Sequence, residues 1–216
     1  MGLNCGCPAG AHLEDLVIND CKETLGQIQK IIIQRTNGDD GTPNTITDIT
    51  KKATMTPLLT AADGTKIVIS PYIQGPTTTP GAARTWGSDN EVLGGIPIII
   101  GRESTSFEGN IYQEAQKTIK TLKSYMCEKI SVYLIDENGN IGCLADDPDD
   151  PTEYRGIPVE GFFVGDKNLG GLSQPDGNAI QWNFYPNWSD DLIIVKQSAM
   201  DYNPLTDLVN GKSVGA

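Results

Sequence analysis

The sequence is poor in histidine, in aromatic residues and in positive charge. His12 is the only histidine among 216 residues, aromatic residues make up 6%, and 16 Lys and Arg face 28 Asp and Glu, a formal net charge of −12. Because nucleic-acid binding depends on cationic contacts with phosphates, this acidity argues against a sequence-specific DNA or RNA binder. With one histidine near the N-terminus, Ser/His/Asp and Cys/His catalytic sets have a single, badly placed base. We therefore expect no enzymatic activity.

Long apolar runs are also missing. No stretch of about twenty apolar residues, the length that a helix needs to span a bilayer, is present. The first seven residues carry neither the basic nor the apolar segment of a secretory signal. We expect a soluble protein made in a cytoplasm, without membrane contact.

The five cysteines form an odd set, and without a secretory signal they are expected to stay reduced. Four residues near the N-terminus offer the sulfur and imidazole ligands of tetrahedral zinc: Cys5, Cys7, His12 and Cys21. Their spacing differs from that of common zinc fingers, so ordinary reduced cysteines are the favoured interpretation and a zinc site is the alternative. No cofactor is expected.

Strand and turn patterns dominate the chain after residue 25. Asn138-Gly139 is the preferred pair of a tight hairpin turn, and Pro71 favours a sheet edge because it has no N–H to donate. Apolar alternation and β-branched runs predict strands over residues 27–35, 66–72, 95–101, 129–136, 141–144, 159–164, 179–185 and 192–196.

One amphipathic helix is strongly indicated over residues 110–127, with Asn110 as its N-cap. Its apolar stripe recurs at three- and four-residue steps and comprises Ile111, Ala115, Ile119, Leu122 and Met126. A second helix of about two turns is indicated more weakly, with Thr56 as N-cap, Pro57 at its first position and Gly64 beyond its end.

Two stretches are predicted to be loops. Residues 73–93, rich in Pro, Gly and Thr, are longer than a compact domain usually tolerates unless the loop contacts a partner. Residues 146–151 are acidic and broken by prolines. A calcium loop is the alternative there, but the absent glycine hinge favours a solvated acidic turn.

The aromatic residues Trp182, Tyr185 and Trp188 lie close together in sequence beside two asparagines. One interpretation is a sugar-stacking face of a carbohydrate-binding or cell-surface-binding β module. The favoured interpretation is packing in the core and at its rim, since Trp182 and Phe184 share one strand face.

The order of strand, long loop, strand, helix, hairpin and two further strands resembles the tail-tube fold of tailed bacteriophages and related injection machines. Four segments look like virion proteins of phages of gut Bacteroides-type bacteria, including crAss-like phages: residues 90–103, 163–171, 178–182 and 186–190. The resemblance covers about residues 26–200. It implies a mainly β fold with one amphipathic helix (α+β), a tail-tube-like β-sandwich or half-barrel with long loops. Residues 1–25 are then an N-terminal arm and residues 201–216 a C-terminal tail.

In function, the resemblance implies a virion structural protein that self-assembles into rings, part of a tail tube or tail/neck conduit for genome ejection. A head–tail connector or capsid-associated protein is the alternative. Its partners are then itself, other tail or connector proteins, and phage DNA that passes through the lumen without specific binding. An inter-ring loop is expected to include Thr77, Thr78, Thr79, Pro80 and Trp86.

Charged contacts between neighbouring subunits are also expected, since four lysines between residues 117 and 129 form a local basic patch in an acidic chain. The predicted contact joins the lysines Lys117, Lys120 and Lys123 to the acidic residues Asp146, Asp147, Asp149 and Asp150.

Overall fold

The computed structural model describes residues 24–87, 91, 94–147 and 151–211. Its strands are β1 (Ile28–Arg35), β2 (Ile67–Ile69), β3 (Gln74–Thr79), β4 (Ala83–Trp86), β5 (Ile98–Arg102), β6 (Thr105–Tyr112), β7 (Ile130–Asp136), β8 (Ile141–Ala145), β9 (Tyr154–Arg155), β10 (Ile157–Asn168), β11 (Gly177–Phe184) and β12 (Leu192–Val195). Its α-helices are α1 (Lys52–Thr60) and α2 (Gln116–Ser124). The prediction of a mainly β chain is confirmed.

Ten of these strands form one antiparallel sheet in which β10 joins two layers. Layer A contains β2, β1, β7, β8, β9 and β12; layer B contains β10, β11, β6 and β3. The first residues of β10 pair with β7, and the rest of β10 pairs with β11. The sheet therefore folds over along β10, and the result is the open sandwich or half-barrel that was predicted.

Glycine-centred bulges curve layer B. The ladder between β10 and β11 shifts register after Glu160, where Gly161 has a φ of +66°. The ladder between β3 and β6 shifts after Gln74, where Gly75 has a φ of +59°. A bulge that begins with a left-handed glycine bends and twists the strand that carries it.

Two hydrophobic cores lie on opposite faces of layer A. The first core lies between the layers and includes Phe107, Ile180 and Trp182 of layer B with Ile119 and Leu122 of α2. The second core lies on the other face of layer A and includes residues of α1 and of the C-terminal segment: Met55, Leu59, Met200, Tyr202 and Leu208.

The central strands β1 and β7 are buried on both faces, which accounts for their unbroken apolar runs. Ile31 and Ile33 of β1 belong to the first core and Ile32 to the second. On β7, Val132 faces the first core and Tyr133 the second. Because side chains alternate along a strand, each face of layer A needs its own apolar set.

The predicted helix over residues 110–127 is correct only in its second half. Asn110 and Ile111 belong to β6, and α2 begins at Gln116 behind Ala115, with no side-chain cap. Gln113 has a φ of +56° and separates the strand from the helix. Tyr125–Cys127 continues α2 as a 3-10 turn.

The predicted burial of that helix is confirmed for Ile119 and Leu122, which are 0% and 2% exposed. It is wrong for Met126, which is 55% exposed, and Ala115 is exposed as well. A helix of nine residues has room for only one short apolar stripe.

The second helix, α1, starts four residues before the predicted cap and contains Pro57 in its interior. Thr56 donates its hydroxyl to the Lys52 carbonyl and does not cap the helix. The second helix that was predicted is therefore present in the described part of the chain, with an earlier start.

The C-terminal residues 201–211, predicted as a polar tail, pack on the body of the domain. Tyr202 is buried and donates its hydroxyl to the Ile49 carbonyl at 2.8 Å. Asn210 binds both the N–H and the C=O of Ile69, at 2.8 and 2.7 Å. Asn210 thus occupies part of the outer edge of β2.

A buried carboxylate joins the start of the described chain to the hairpin between β7 and β8. Asp136 is 0% exposed and accepts four hydrogen bonds: from the N–H groups of Gly26, Asn138 and Asn140, and from the Asn140 side chain. The hairpin loop has four residues, and Gly139 within it has a φ of +80°. The predicted hairpin is confirmed, and Asp136 organises its turn.

Candidate functional site

Strands β4 and β5 form a separate hairpin, which we call the arm and define as residues 83–102. The two strands pair with each other, and in the described part of the chain neither pairs with another strand. Every described side chain of β4 is exposed, and in β5 only Gly101 is half-buried. The arm therefore stands apart from both cores.

The arm carries large apolar side chains in water. Trp86 is 55% exposed, and Ile96, Ile98, Ile99 and Ile100 are 73%, 43%, 60% and 54% exposed. Isolated exposed apolar residues are ordinary, but a contiguous group of this size marks an interaction surface.

Both faces of the arm are apolar. Trp86 lies opposite Ile98, and Thr85 lies opposite Ile99, so these two pairs point to opposite faces. Ile100 lies at a register shift between the two pairs that flank it. An arm that is apolar on both faces is suited to enter a cleft, where each face gains a neighbour.

The prediction of a loop over residues 73–93 is wrong in its structure, because this stretch contains β3 and β4. Thr77, Thr78 and Thr79 lie in β3 and pair with β6, while Pro80 follows the strand. Of the predicted contact residues, only Trp86 lies on the arm. Their contacts with a neighbouring ring stay a prediction.

The base of the arm is fixed to the body. The N–H of Glu103 donates to the carbonyl of Ala82 at 2.9 Å, so the two ends of the arm leave the body side by side. Arg102 donates to the side chain of Asn187 at 2.5 Å, and Asn187 has a φ of +66° in the turn before β12.

Strands β12 and β3 end the main path of the ten-stranded sheet. In the described part of the chain each has one paired neighbour, β8 for β12 and β6 for β3. Free strand edges are templates for pairing with another chain. Pro76 in β3 has no N–H and limits unregulated pairing at that edge.

The lysines predicted to meet an adjacent subunit lie on α2. Lys117 and Lys120 are exposed, and Lys123 is half-buried and pairs with Asp166 of its own chain. This pair lowers the pKa of Asp166, through a hydrogen bond and the charge of the lysine. Lys123 therefore already has an acidic neighbour, whereas Lys117 and Lys120 face solvent.

The acidic partner segment is described in part. Asp146 accepts from the hydroxyl and N–H of Thr152 and from the N–H of Glu153, which lowers its pKa. Asp147 is exposed, while Asp149 and Asp150 lie outside the described residues. The predicted contact between these acidic residues and the lysines stays a prediction.

The aromatic cluster serves the core. Trp182 is 1% exposed and stacks on Phe107 with ring centroids 3.9 Å apart, and the half-buried Trp188 stacks on Phe184 at 4.3 Å. Tyr185 is exposed, but its hydroxyl donates to Glu160. A sugar cannot reach the ring of Trp182, so the structure favours the packing interpretation.

Catalytic and metal chemistry find little support in the described residues. No group of three or more His, Cys, Asp or Glu side chains there is placed to hold a metal ion. The predicted zinc ligands Cys5, Cys7, His12 and Cys21 lie outside the described residues. Burial raises the pKa of the Cys143 thiol to about 12, so this cysteine is no nucleophile at neutral pH. Within the described ranges, no helix is long and apolar enough to cross a membrane.

Comparison with solved structures found distant similarities. The chain is similar to a protein of the tail of an empty GTA particle with C6 symmetry, at 11% identity and a TM-score of 0.32, covering 57% of this chain and 81% of that one. It is also similar to a protein of the six-fold symmetrised baseplate of the anti-feeding prophage, at 8% identity and a TM-score of 0.35, covering 82% and 98%. Both TM-scores are below 0.5, so neither similarity carries weight for function. No family model matches, and no curated protein matches.

The exposure of the arm isoleucines was not predicted from the sequence. Residues 95–101 predicted a strand, and β5 confirms it, but a run of three isoleucines is typical of a strand buried on both faces. The signal that could have revealed an arm is the flanking composition, since Gly, Pro and polar residues surround this strand on both sides.

Proposed function

We propose that the chain is a structural protein of a phage-type tail that self-assembles into rings and forms part of a tail tube or tail/neck conduit for genome passage. The observation that carries this proposal is the arm, whose apolar side chains are exposed on both faces. A monomer gains nothing from exposing five large apolar groups, whereas an assembled subunit buries them.

The energetics favour burial of the arm between subunits. Fully burying an isoleucine side chain contributes about 1.5–3 kcal/mol, so covering a half-exposed one contributes on the order of 1 kcal/mol. Five such groups together contribute several kcal/mol for each interface. Repeated around a ring, this contribution is enough to offset part of the entropy lost on association.

The free strand edges support the same proposal. Pairing at β3 or β12 provides directional backbone hydrogen bonds that a ring repeats at every interface. These bonds offset the electrostatic repulsion between copies of an acidic chain. Closure of the ring leaves no such edge open for aggregation.

The outer face of layer B suits contact with passing DNA. Several of its outward side chains are polar or acidic, namely Ser106, Glu108, Gln181 and Asn183 on β6 and β11, although Phe163 of β10 is exposed there too. Since cationic contacts are what retain DNA, a neutral to acidic lining lets DNA slide past.

Excision of the arm tests the proposal. Because Ala82 and Glu103 are hydrogen-bonded neighbours, an Asn-Gly turn can replace residues 83–102 without moving β3 or β6. We expect the intact chain to form rings in negative-stain images and fast species in sedimentation velocity at high concentration. The excised chain should remain monomeric with an unchanged urea transition.

A matched pair of variants separates the arm from exposed apolar residues in general. Ile98→Ser with Ile99→Ser should abolish assembly, whereas Leu169→Ser with Leu172→Ser, at more exposed sites outside the arm, should leave it intact. An intact chain that stays monomeric at every concentration would contradict the proposal. Stacked rings in the images indicate a tube, and single rings indicate a connector.

The lysines of α2 give a second test. Lys120→Glu with Lys123→Glu places two acidic groups on α2 and turns the pair with Asp166 into a repulsion. We expect at least tenfold weaker assembly, measured by sedimentation at several salt concentrations, with the urea midpoint unchanged. Lys51→Glu with Lys52→Glu is the control for charge alone, since both lysines are exposed and lie outside α2. Equal assembly of both variants would remove the α2 lysines from the interface.

A further inference from the structure

An apolar groove runs between α2 and the outer strand β2. It consists of two adjoining cavities of about 390 and 340 Å³, which share Lys66, Val68 and Tyr125 in their walls. We call it the β2 groove. In the described part of the chain none of its lining residues belongs to the arm, so the molecule does not fill it with its own hairpin.

The floor of the β2 groove is the open margin of the first core. Ile33 and Ile130 line one cavity and Leu122 lines the other, and all three belong to that core. The half-buried Val68 and Tyr125 lie between them. Apolar side chains that enter the groove therefore extend an existing core.

The outer edge of β2 is only partly covered. Among the strands described, β2 pairs only with β1. On its outer edge, the side chain of Asn210 is hydrogen-bonded to the N–H and C=O of Ile69. Asn210 also lines the groove. An extended segment lying there meets apolar side chains on one side and strand edge on the other.

The charges along the groove complement those along the arm. Asp39, Asp63 and Glu128 line one cavity, and Lys117 lines the other. Arg35 pairs with Asp39 and Glu128, with N–O distances of 3.5 and 3.1 Å, and Lys66 lines both cavities. The first cavity therefore carries three carboxylates against two cations, and the second carries two lysines and no acid. The arm carries Arg84 near its base and Glu91 near its tip. An arm laid along the groove can pair Arg84 with the acidic end and Glu91 with Lys117.

We propose that the β2 groove of one copy receives the arm of a second copy, so that Trp86 and the arm isoleucines complete the margin of the first core. This inference rests on the proposed function, since it names the surface that the assembly arm binds. The contact is head-to-tail: each subunit donates one arm and offers one groove. Contacts of this type close into rings or extend into stacks.

Complementation between two variants tests the proposal. The arm variant is Ile98→Asp with Ile99→Asp, and the groove variant is Ala62→Glu with Thr121→Glu, both at exposed positions in the groove wall. Each variant alone should be monomeric. Their equimolar mixture should form dimers of twice the monomer mass, because one intact arm and one intact groove remain.

The control for the groove variant is Thr60→Glu with Ser124→Glu, which adds the same two charges within three residues of the groove substitutions, at exposed positions that do not line the groove. It should assemble like the unmodified chain. Normal assembly of the groove variant, or a mixture that stays monomeric, overturns the proposal.

Photo-crosslinking identifies the contact directly. A benzophenone amino acid replaces Trp86 in a chain labelled with ¹⁵N, which is mixed with unlabelled chain, and mass spectrometry maps the products. Crosslinks from the labelled arm to unlabelled peptides that contain Val68 or Tyr125 support the proposal. Crosslinks to the groove of the same chain overturn it.

The crosslinks also distinguish this inference from the proposed function. Rings whose arms crosslink outside the groove overturn the groove and leave the ring-forming function standing. Arm–groove crosslinks between copies that never form rings overturn the ring-forming function and leave the groove standing.

Discussion

Alanine in place of Asp136 is expected to lower the free energy of unfolding by about 3–4 kcal/mol, because it leaves four donors in a buried site without their acceptor. Those donors come from Gly26, Asn138 and Asn140, so the substitution loosens both the hairpin turn and the start of the described chain. Urea unfolding, followed by circular dichroism, measures the effect.

Two further variants show whether the carboxylate itself is responsible. Asp136→Asn keeps one acceptor oxygen but turns an amide towards donors, and we expect a loss of about 2 kcal/mol. The neighbouring Glu137 is exposed and accepts one bond from the Gln27 N–H at 3.1 Å, so Glu137→Ala should cost less than about 1 kcal/mol. A loss below about 1 kcal/mol for Asp136→Ala would show that water replaces the carboxylate in this turn.

The second large effect is expected at Trp182, the largest fully buried side chain of the first core. Its indole stacks on Phe107 and meets Phe184 edge to face at 6.0 Å, with an interplanar angle of 85°. Trp182→Ala removes these contacts and leaves a cavity between the layers. We expect a loss of about 4 kcal/mol, within the range for large-to-small substitutions in cores.

Phenylalanine at the same position should be tolerated. The indole Nε1–H of Trp182 is buried and has no hydrogen-bond partner among the described residues, so replacing it removes an unsatisfied donor as well as some volume. The two effects oppose each other, and Trp182→Phe should stay within about 1 kcal/mol of the original chain. A loss as large as that of alanine would mean that the shape of the indole itself determines the packing.

The strands with the clearest patterns were predictable. The β-branched run of β1 and the Asn-Gly turn between β7 and β8 are local signals. Strands β1 and β7 also pack against a core on each face, which agrees with their apolar sequences. Strands β10 and β11 were predicted from residues 159–164 and 179–185, because buried and exposed positions alternate along part of each strand.

The boundary between β6 and α2 was not predictable from periodicity. Ile111 fits both a helix stripe and a strand face, and Gly109 interrupts the alternation that continues from Phe107 to Ile111. The structure supplies the reason for that glycine, because a Cβ there would lie 2.5 Å from Cγ2 of Ile73. The glycine is thus explained by close packing against Ile73, which lies just before β3 and far from Gly109 in sequence.

The arm was predicted as a strand and a contact loop, but not as a hairpin with two exposed apolar faces. Isoleucines such as Ile98, Ile99 and Ile100 indicate that a strand is suited to burial. They do not indicate whether the strand is buried in its own core or against a neighbouring copy, because both environments favour the same residues. The difference lies in the backbone, which carries these residues away from both cores.

Ala82 and Glu103, the residues that flank the arm, are hydrogen-bonded to each other. The length of the arm can therefore change without changing the strands of the body. Residues added to or removed from the hairpin in cross-strand pairs change its reach by about 3.3 Å for each pair while the register of β3 and β6 stays the same. In the proposed assembly, the length of the arm sets the spacing between successive subunits, while the body of the domain stays the same.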